Sequence, residues 1–464
     1  MKIIILGAGR VGTSVAENLV GEANDITVVD IDEVSLDKLQ SRLDLKTITG
    51  NASHPQTLQQ AGAESADLLL AVTQSDEINL VACKLAATLF NTPTKIARIR
   101  QANYLAHPEI FSPTNFNVDF TICPEQILTD YIKKLIDVPE ALQVLDFAGG
   151  LVKLVAVRVR ADGQLVGREL QHIRETMPDV DTRVVAIFRL NRPIKPKSDT
   201  VIEEGDEVFF IAAKEDIKSV MKQLKKMEKP IKRIMLAGGG NIGSRLAQAI
   251  EKKYQVKLID LNKESCQRLA QQLSNTLVLQ GNVTDEKLLI DENVDEMDLF
   301  CALTNDDEDN IMSALLAKRL GARKVIILVN RGIYVDLIQG GEIDIAISPA
   351  EATIGSLLTH VRQADVTVVH SLRRGAAEAL ELVVHGDTQS SKVVGKRIDE
   401  IDFPEDVTVG AIVRNRGKDK SKSEVLITHH DTVIEAGDHV IVFVIGKVNI
   451  PKVEKLFQVS TGVF

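Results

Sequence analysis

The stretch MKIIILGAGRVGTSVAENL, Met1 to Leu19, decides how the rest of the chain is read. An apolar, β-branched run from Ile3 to Leu6 enters a turn carrying Gly7, Gly9 and Gly12, and an amphipathic segment follows at once. A second β-type run, DITVVD, ends at Asp30. Strand, glycine turn, helix and strand-end acid together form the arrangement that binds a nucleotide pyrophosphate. The glycines allow a tight turn and close approach of phosphate to free N–H groups at a helix N-terminus, while Asp30 accepts bonds from a ribose hydroxyl.

Compared with itself, the chain repeats this stretch 231 residues later as IKRIMLAGGGNIGSRLAQAI, from Ile231 to Ile250. Gly7, Gly9 and Gly12 map to Gly238, Gly240 and Gly243, and Asp30 maps to Asp260. Gly50 and Asn51 recur as Gly281 and Asn282, and DLLLAVTQSDEINL from Asp67 recurs as DLFCALTNDDEDNI from Asp298. VDFTICP, ending at Pro124, matches IDIAISP, ending at Pro349; DTVIEEGDEVFFI from Asp199 matches DTVIEAGDHVIVF from Asp431. The whole unit is doubled.

Within each unit, short β-branched runs first alternate with helical stretches, which predicts βαβ units on a parallel sheet. LVKLVAVRV, RVVAIFR and EVFFIAA then read as strands closed by a helix over KEDIKSVMKQL, with ALELVVH, VTVGAIVR and HVIVFVI as their second-copy counterparts. The expected fold class is α/β: two Rossmann-like, doubly wound parallel-sheet domains over 1–137 and 231–363, each followed by a small, separate α+β domain over 138–230 and 364–464. The Lys-rich segment Lys222–Arg233, with Pro230, reads as a solvated linker.

Composition narrows the function. With 464 residues and 44% apolar content the chain can bury several cores. A net charge of −10 argues against a general grip on nucleic acid or anionic lipid, and against a DNA-binding repressor. No apolar run reaches the length of a membrane span, and the opening residues carry no export leader, so a cytoplasmic location is expected. Cys83, Cys123, Cys266 and Cys301 stand far apart without metal-ligand spacing and read as reduced, buried thiols.

The two glycine turns differ in charge. Arg10 sits inside the first, and Arg98 and Arg100 end a later strand; Asn241, Leu328 and Asn330 take those places in the second. Guanidinium groups suit terminal phosphates, so ATP or ADP is expected at the first copy and NAD at either. The sequences DID and DLN after each strand offer no cation to a 2′-phosphate, which disfavours NADP. Asp76 and Asp307, at strand-to-helix junctions, read either as ligand neighbours or as helix caps.

GAGRVG with its strand-end acid, GN at Gly50, T-x-x-D-x-x-N at Thr73 and the trailing small domain together resemble the domains that regulate potassium conductance. The doubled form resembles the regulatory subunits of Trk-type potassium uptake systems. That resemblance implies a non-enzymatic cytosolic protein, peripheral at the inner membrane face, that binds NAD(H), ATP and ADP. It further implies a homotetrameric ring gating a membrane-embedded potassium-translocating partner of the TrkH type. Carried over residue by residue, it assigns nucleotide contacts to Gly7, Gly9, Arg10, Val11, Asp30, Thr73, Asp76 and Arg98. In the second copy it assigns Gly240, Asn241, Ile242, Asp260 and Thr304.

An NAD-dependent dehydrogenase would use the same cofactor fold. It would also need a proton donor, and none of the nine histidines recurs near the crevice in both copies. Lys84 corresponds to Leu315 in the repeat, so it is no shared donor.

Overall fold

The computed structural model describes residues 1–20, 24–161, 163, 165–172, 175, 180–190, 192–224, 229–338, 341–362, 364–372, 377–415 and 423–459. Part of the segment read as a linker, 225–228, lies outside the described residues. The described residues form two compact bodies: Met1–Leu128 with Pro349–Val361, and Thr129–Ser348 with Arg362–Phe464.

The first body is built on β1 (Lys2–Leu6), β2 (Asp25–Asp30), β3 (Lys46–Thr49), β4 (Leu68–Ala71), β5 (Thr94–Arg98) and β6 (Phe120–Ile122). All pair in parallel, in the order β3-β2-β1-β4-β5-β6. Strand order reverses between β1 and β4, which leaves a crevice at their carboxyl ends. Continuous apolar runs such as KIIIL suit a sheet covered on both faces, and Ile3 to Leu6 are all buried. The helix Pro349–Leu358 comes from the second sequence unit yet packs on the helix Arg10–Leu19 and on β6 of this body. Beside it His360 stacks on Phe120, ring centroids 3.7 Å apart. By contact, Pro349–Val361 belong to the first body.

The second body holds three sheets. The first is antiparallel, with β7 (Gln143–Phe147), β8 (Val152–Arg158), β9 (Thr182–Arg189), β10 (Arg192–Ile194) and β11 (Glu207–Ala213) in the order β10-β9-β11-β8-β7. The second repeats the parallel design: β12 (Arg233–Ala237), β13 (Gln255–Asp260), β14 (Thr276–Gln280), β15 (Leu299–Ala302), β16 (Val325–Leu328) and β17 (Ile345–Ile347), ordered β14-β13-β12-β15-β16-β17. The third is antiparallel again, with β18 (Val366–Leu372), β19 (Ala377–Val383), β20 (Val407–Asn415), β21 (Ser423–Ile427) and β22 (His439–Ile445) in the order β18-β19-β22-β20-β21. The fold is therefore α/β, with two Rossmann-like parallel sheets, each followed in sequence by an antiparallel one.

The two antiparallel sheets are not independent of one another. Phe147, Phe188, Phe209 and Ile211 from one share a single core with Ala379, Ala411, Ile441 and Phe443 from the other. Equivalent ion pairs brace each sheet. The buried Asp206 accepts from Arg189 Nε and Nη2 at 2.9 and 2.8 Å and from the Glu203 N–H at 2.8 Å. Asp438 does the same with Arg414 and the Glu435 N–H, each at 2.8 Å. Enclosure this complete is stabilising only because every carboxylate oxygen is matched.

Candidate nucleotide site

In the first glycine turn the Gly7 N–H donates to the Val29 carbonyl at 2.7 Å and Gly7 adopts φ +110°, a left-handed conformation that favours glycine. A Cβ on Gly7 would stand 3.0 Å from the Val72 carbonyl oxygen and 3.1 Å from Thr73 Cα, so this glycine lets the two crevice walls touch. A Cβ on Gly12 would meet the Gly7 carbonyl oxygen at 1.9 Å, so the helix can seat against the turn only without a side chain. Gly9 differs: a Cβ there would find nothing within 4 Å. It precedes the helix Arg10–Leu19, whose N-terminus no side chain caps. Gly9 thus offers no side chain to cap the first helical turn and leaves open space beside it, the condition for binding an anion.

Asp30 ties this turn to the next strand. Its Oδ2 accepts from the Ala8 N–H at 2.6 Å and its Oδ1 from the Asp32 N–H at 2.9 Å. Two donors leave lone pairs spare on a carboxylate, which is what a ribose diol requires.

Across the crevice, the Thr73 N–H and Oγ1 both donate to Asn79 Oδ1, at 3.0 and 2.7 Å, and Asn79 Nδ2 donates to the Arg98 carbonyl at 2.9 Å. Asp76 is buried. Both its oxygens accept from the Arg100 N–H at 3.0 Å, and Oδ2 also accepts from the Gln101 N–H at 2.9 Å. The helix cap is instead Ser75, whose side chain accepts from the Ile78 N–H. Asp76 therefore fastens the end of β5 to this helix, and the cap reading moves one residue back.

The second copy reproduces nearly every bond. The Gly239 N–H donates to Asp260 Oδ2 at 2.6 Å and the Asn262 N–H to Oδ1 at 2.8 Å. Thr304 Oγ1 donates to Asn310 Oδ1 at 2.7 Å, and Asp307 holds the Asn330 and Arg331 N–H groups at 2.8 Å. Asp306 is the cap, not Asp307. Gly240 again precedes an uncapped helix and faces open space, a Cβ on Gly243 would again meet a carbonyl oxygen, that of Gly238, at 1.9 Å, and Asn241 and Ile242 open the helix.

The cations differ as the sequences imply. Arg98 is largely enclosed, its guanidinium lies 4.0 Å from Glu125, and its Nε is buried without a hydrogen-bond partner among the described residues. Burial pulls its pKa down, and Glu125 opposes that shift. Arg100 Nε donates to the same Glu125 oxygen at 2.9 Å. A buried, incompletely paired guanidinium gains from an anion nearby. Arg10 and Val11 open the first helix, Arg10 exposed and Val11 buried. The matching second-copy position to Arg98 is Leu328, which is buried.

Two features escaped sequence reasoning. Glu125 bridges both arginines, and only the three-dimensional closeness of β5 to residues after β6 reveals it. Ile31 and Leu261, each directly after the ribose-type acid, are 75% and 71% exposed, apolar side chains left bare at equivalent positions of the two crevices. Their signal was an apolar residue between two acids, or between acid and amide, just past a strand.

The remaining chemistry is structural. His370 is half-buried with its ring 3.1 Å from the Asp146 carbonyl oxygen, and desolvation lowers its pKa; His385 bonds Asp365. All four cysteines are buried and free, and burial pushes the Cys83 and Cys301 thiols up to about 12. Among the described residues, no group of His, Cys, Asp or Glu could hold a metal, and no helix is long and apolar enough to cross a membrane.

Known proteins share this architecture. The TrkA-N domain model matches residues 3–116 and 234–349, and the TrkA-C domain model matches 154–225 and 388–458. The chain is 57% identical over 464 residues to the Trk system potassium uptake protein TrkA of Halomonas elongata, covering all of both chains. It is 55% identical over 461 residues to that of Vibrio alginolyticus, covering 99% of each. Among solved structures, the GsuK RCK domain superposes with a TM-score of 0.61 at 17% identity, covering 98% of this chain and 94% of that one. A GsuK channel bound to NAD superposes at 0.60 and 16% identity, over 98% and 78%. With both domain models matched twice in tandem and full-length relatives above half identity, the chain belongs to the family of Trk system potassium uptake proteins TrkA.

Proposed function

We propose that this protein is the nucleotide-responsive regulatory subunit of a Trk-type potassium uptake system. In this reading it binds NAD(H) and ATP or ADP at its glycine turns and gates a membrane-embedded, TrkH-type translocating subunit. The observation that carries the reading is the pair of uncapped helix N-termini at Gly9 and Gly240, each beside open space and each backed by a carboxylate gripping the turn. The backbone N–H groups after Gly9 and Gly240 receive the pyrophosphate, Asp30 and Asp260 the ribose. Ile31 and Leu261 offer an apolar surface to a base, and Thr73 and Thr304 line the opposite wall. Arg10 and Arg98 favour a terminal phosphate in the first copy. Asp76 acts at one remove, by fixing the backbone that carries Arg98 and Arg100.

The protein exerts its effect by binding, without catalysis. A nucleotide that prefers one arrangement of the domains shifts the population toward it, and an attached partner senses that shift. We assign the four modules as 1–137, 138–230, 231–363 and 364–464, each built on its own sheet, and place a homotetrameric ring at the inner face of the membrane. The full-length relatives named for potassium uptake support the partner class. Calorimetric titration of ATP, ADP, NADH and NADPH, counting sites per chain, tests the ligand assignment. Tight ATP and NADH binding with NADPH excluded is expected, and no binding by any of them contradicts the reading.

A further inference from the structure

A cleft of about 660 Å³ lies in the second body, away from both glycine turns, between the first antiparallel sheet and the carboxy-terminal half of the second parallel domain. Its walls carry Arg158, Arg160, Lys229, Lys318, Arg323 and Lys324, against only Glu140 and Asp344. Asp298 and Glu207 neutralise two of the cations: Arg323 Nη1 lies 3.0 Å from Asp298 and Arg158 Nη2 2.8 Å from Glu207. Among the described residues, six cations face four carboxylates, a local excess of positive charge in a chain of net charge −10.

Several of these cations are already fixed in place. Lys318 Nζ bonds Asp344 at 2.7 Å and the Arg323 carbonyl at 2.8 Å. Lys324 Nζ donates to the Pro139 and Ala141 carbonyls at 2.6 and 3.3 Å. Arg323 Nη2 donates to the Lys229 carbonyl at 2.7 Å, while its Nε is buried with no partner among the described residues. Burial lowers the pKa of Arg158, with Asp344 opposing. The cations are therefore preorganised, and among the described residues they outnumber the carboxylates around them, a state that an anionic ligand stabilises.

The repeat provides an internal control. In sheet register β5 meets β6 as β16 meets β17, so Arg323 and Lys324 fall where the first copy has Pro93 and Thr94. Arg158 pairs with Glu207 as Val383 pairs with His439, which puts Val383 and His385 at the places of Arg158 and Arg160. Lys318 corresponds to Ala87 by helix position. The same fold forms without these cations, so the fold does not require them.

We propose that this cleft is an anion site for a small molecule bearing two or more phosphate groups. Its volume falls within the range of ordinary ligand pockets, roughly 300–1,000 Å³, and guanidinium forks match phosphate oxygens bidentately. The inference does not rest on nucleotide binding at the glycine turns.

The test is calorimetric titration of inorganic pyrophosphate, at fixed ionic strength, into the full chain and three variants. Arg158→Gln/Arg160→Gln should lose a pyrophosphate site, and the exposed Lys229→Gln should weaken it by about tenfold or more, the value of one charge-assisted bond. Gly9→Ala/Gly240→Ala should retain it. If the wild type shows no site beyond those lost in the glycine variant, the proposal fails. It fails equally if the arginine variant, with unchanged circular dichroism and melting, binds like wild type while Lys229→Gln does too. Full displacement by sulfate at equal concentration would reduce the cleft to a counter-ion patch and overturn it.

Discussion

Gly9→Ala separates ligand binding from folding more cleanly than any other change in the first crevice. At Gly9 the backbone has φ −72° and ψ −172°, open to any residue, and an added Cβ touches nothing within 4 Å. Replacing an N-cap glycine by alanine costs up to about 1 kcal/mol, offset by about 0.4–1 kcal/mol from a stiffer unfolded chain. Stability should stay within about 1 kcal/mol of wild type. The methyl group, however, occupies the space a pyrophosphate oxygen needs to reach the helix N–H groups. Losing one charge-assisted bond of about 1.5–3 kcal/mol weakens binding roughly 10- to 150-fold. Gly12→Ala is the contrasting case, because its Cβ would sit 1.9 Å from the Gly7 carbonyl oxygen and must displace backbone; it should lower the unfolding midpoint strongly. Urea unfolding paired with calorimetry of NADH and ATP reads both effects. Gly9→Ala binding both nucleotides at wild-type affinity would refute the assignment of the turn.

Arg10→Ala should weaken ATP more than NADH, since it removes charge near terminal phosphates and leaves Asp30 intact; equal losses in calorimetry would contradict the role given to Arg10. Asp206→Ala should destabilise the second body by about 1–3 kcal/mol in denaturant unfolding, because the Glu203 N–H and the half-buried Arg189 lose an acceptor while Glu203 still pairs with Arg189. His439 and Glu381 form a 2.7 Å pair. The bond to Glu381 raises the His439 pKa; burial works to raise that of Glu381, but the bonds from His439 and the Ala148 N–H hold it low. The His439 contribution is complete below the ordinary His value of 6.5 and fades as pH rises through its raised pKa. That of Glu381 is complete above 4.5 and fades as pH falls through its lowered pKa. His439→Gln should therefore lose most stability between pH 4.5 and 6.5, as read from unfolding midpoints across pH. Cys83 and Cys301, with thiols pushed up to about 12, should resist thiol reagents at pH 8 until the protein unfolds.

Much of the architecture was legible because the two periodicities are clean. KIIIL and RIMLA are continuous apolar runs that only a sheet covered on both faces buries, and the glycines at 7, 12, 238 and 243 answer to contacts that no Cβ fits. The short partners β7, β10, β18 and β21 were not foreseen, since three to seven residues of mixed polarity at a sheet edge carry little pattern. Nor was the docking of Pro349–Leu358 on the first body, because sequence contiguity says nothing of which sheet a terminal helix covers. Within the site, Asp30 and Asp260 stood out by position after a strand. Glu125 did not, because its partners Arg98 and Arg100 lie 25 or more residues away and meet it only through the pairing of β5 with β6.

The central claim is that nucleotides at these turns control potassium uptake. Its most direct test is rubidium uptake in cells lacking this protein, complemented with wild type or with Gly9→Ala/Gly240→Ala, with binding of both forms to the membrane partner verified. The account predicts that wild type restores uptake that responds to the cellular ATP level, and that the double variant assembles but leaves uptake unresponsive. Nucleotide-responsive uptake at wild-type levels in the double variant would contradict it.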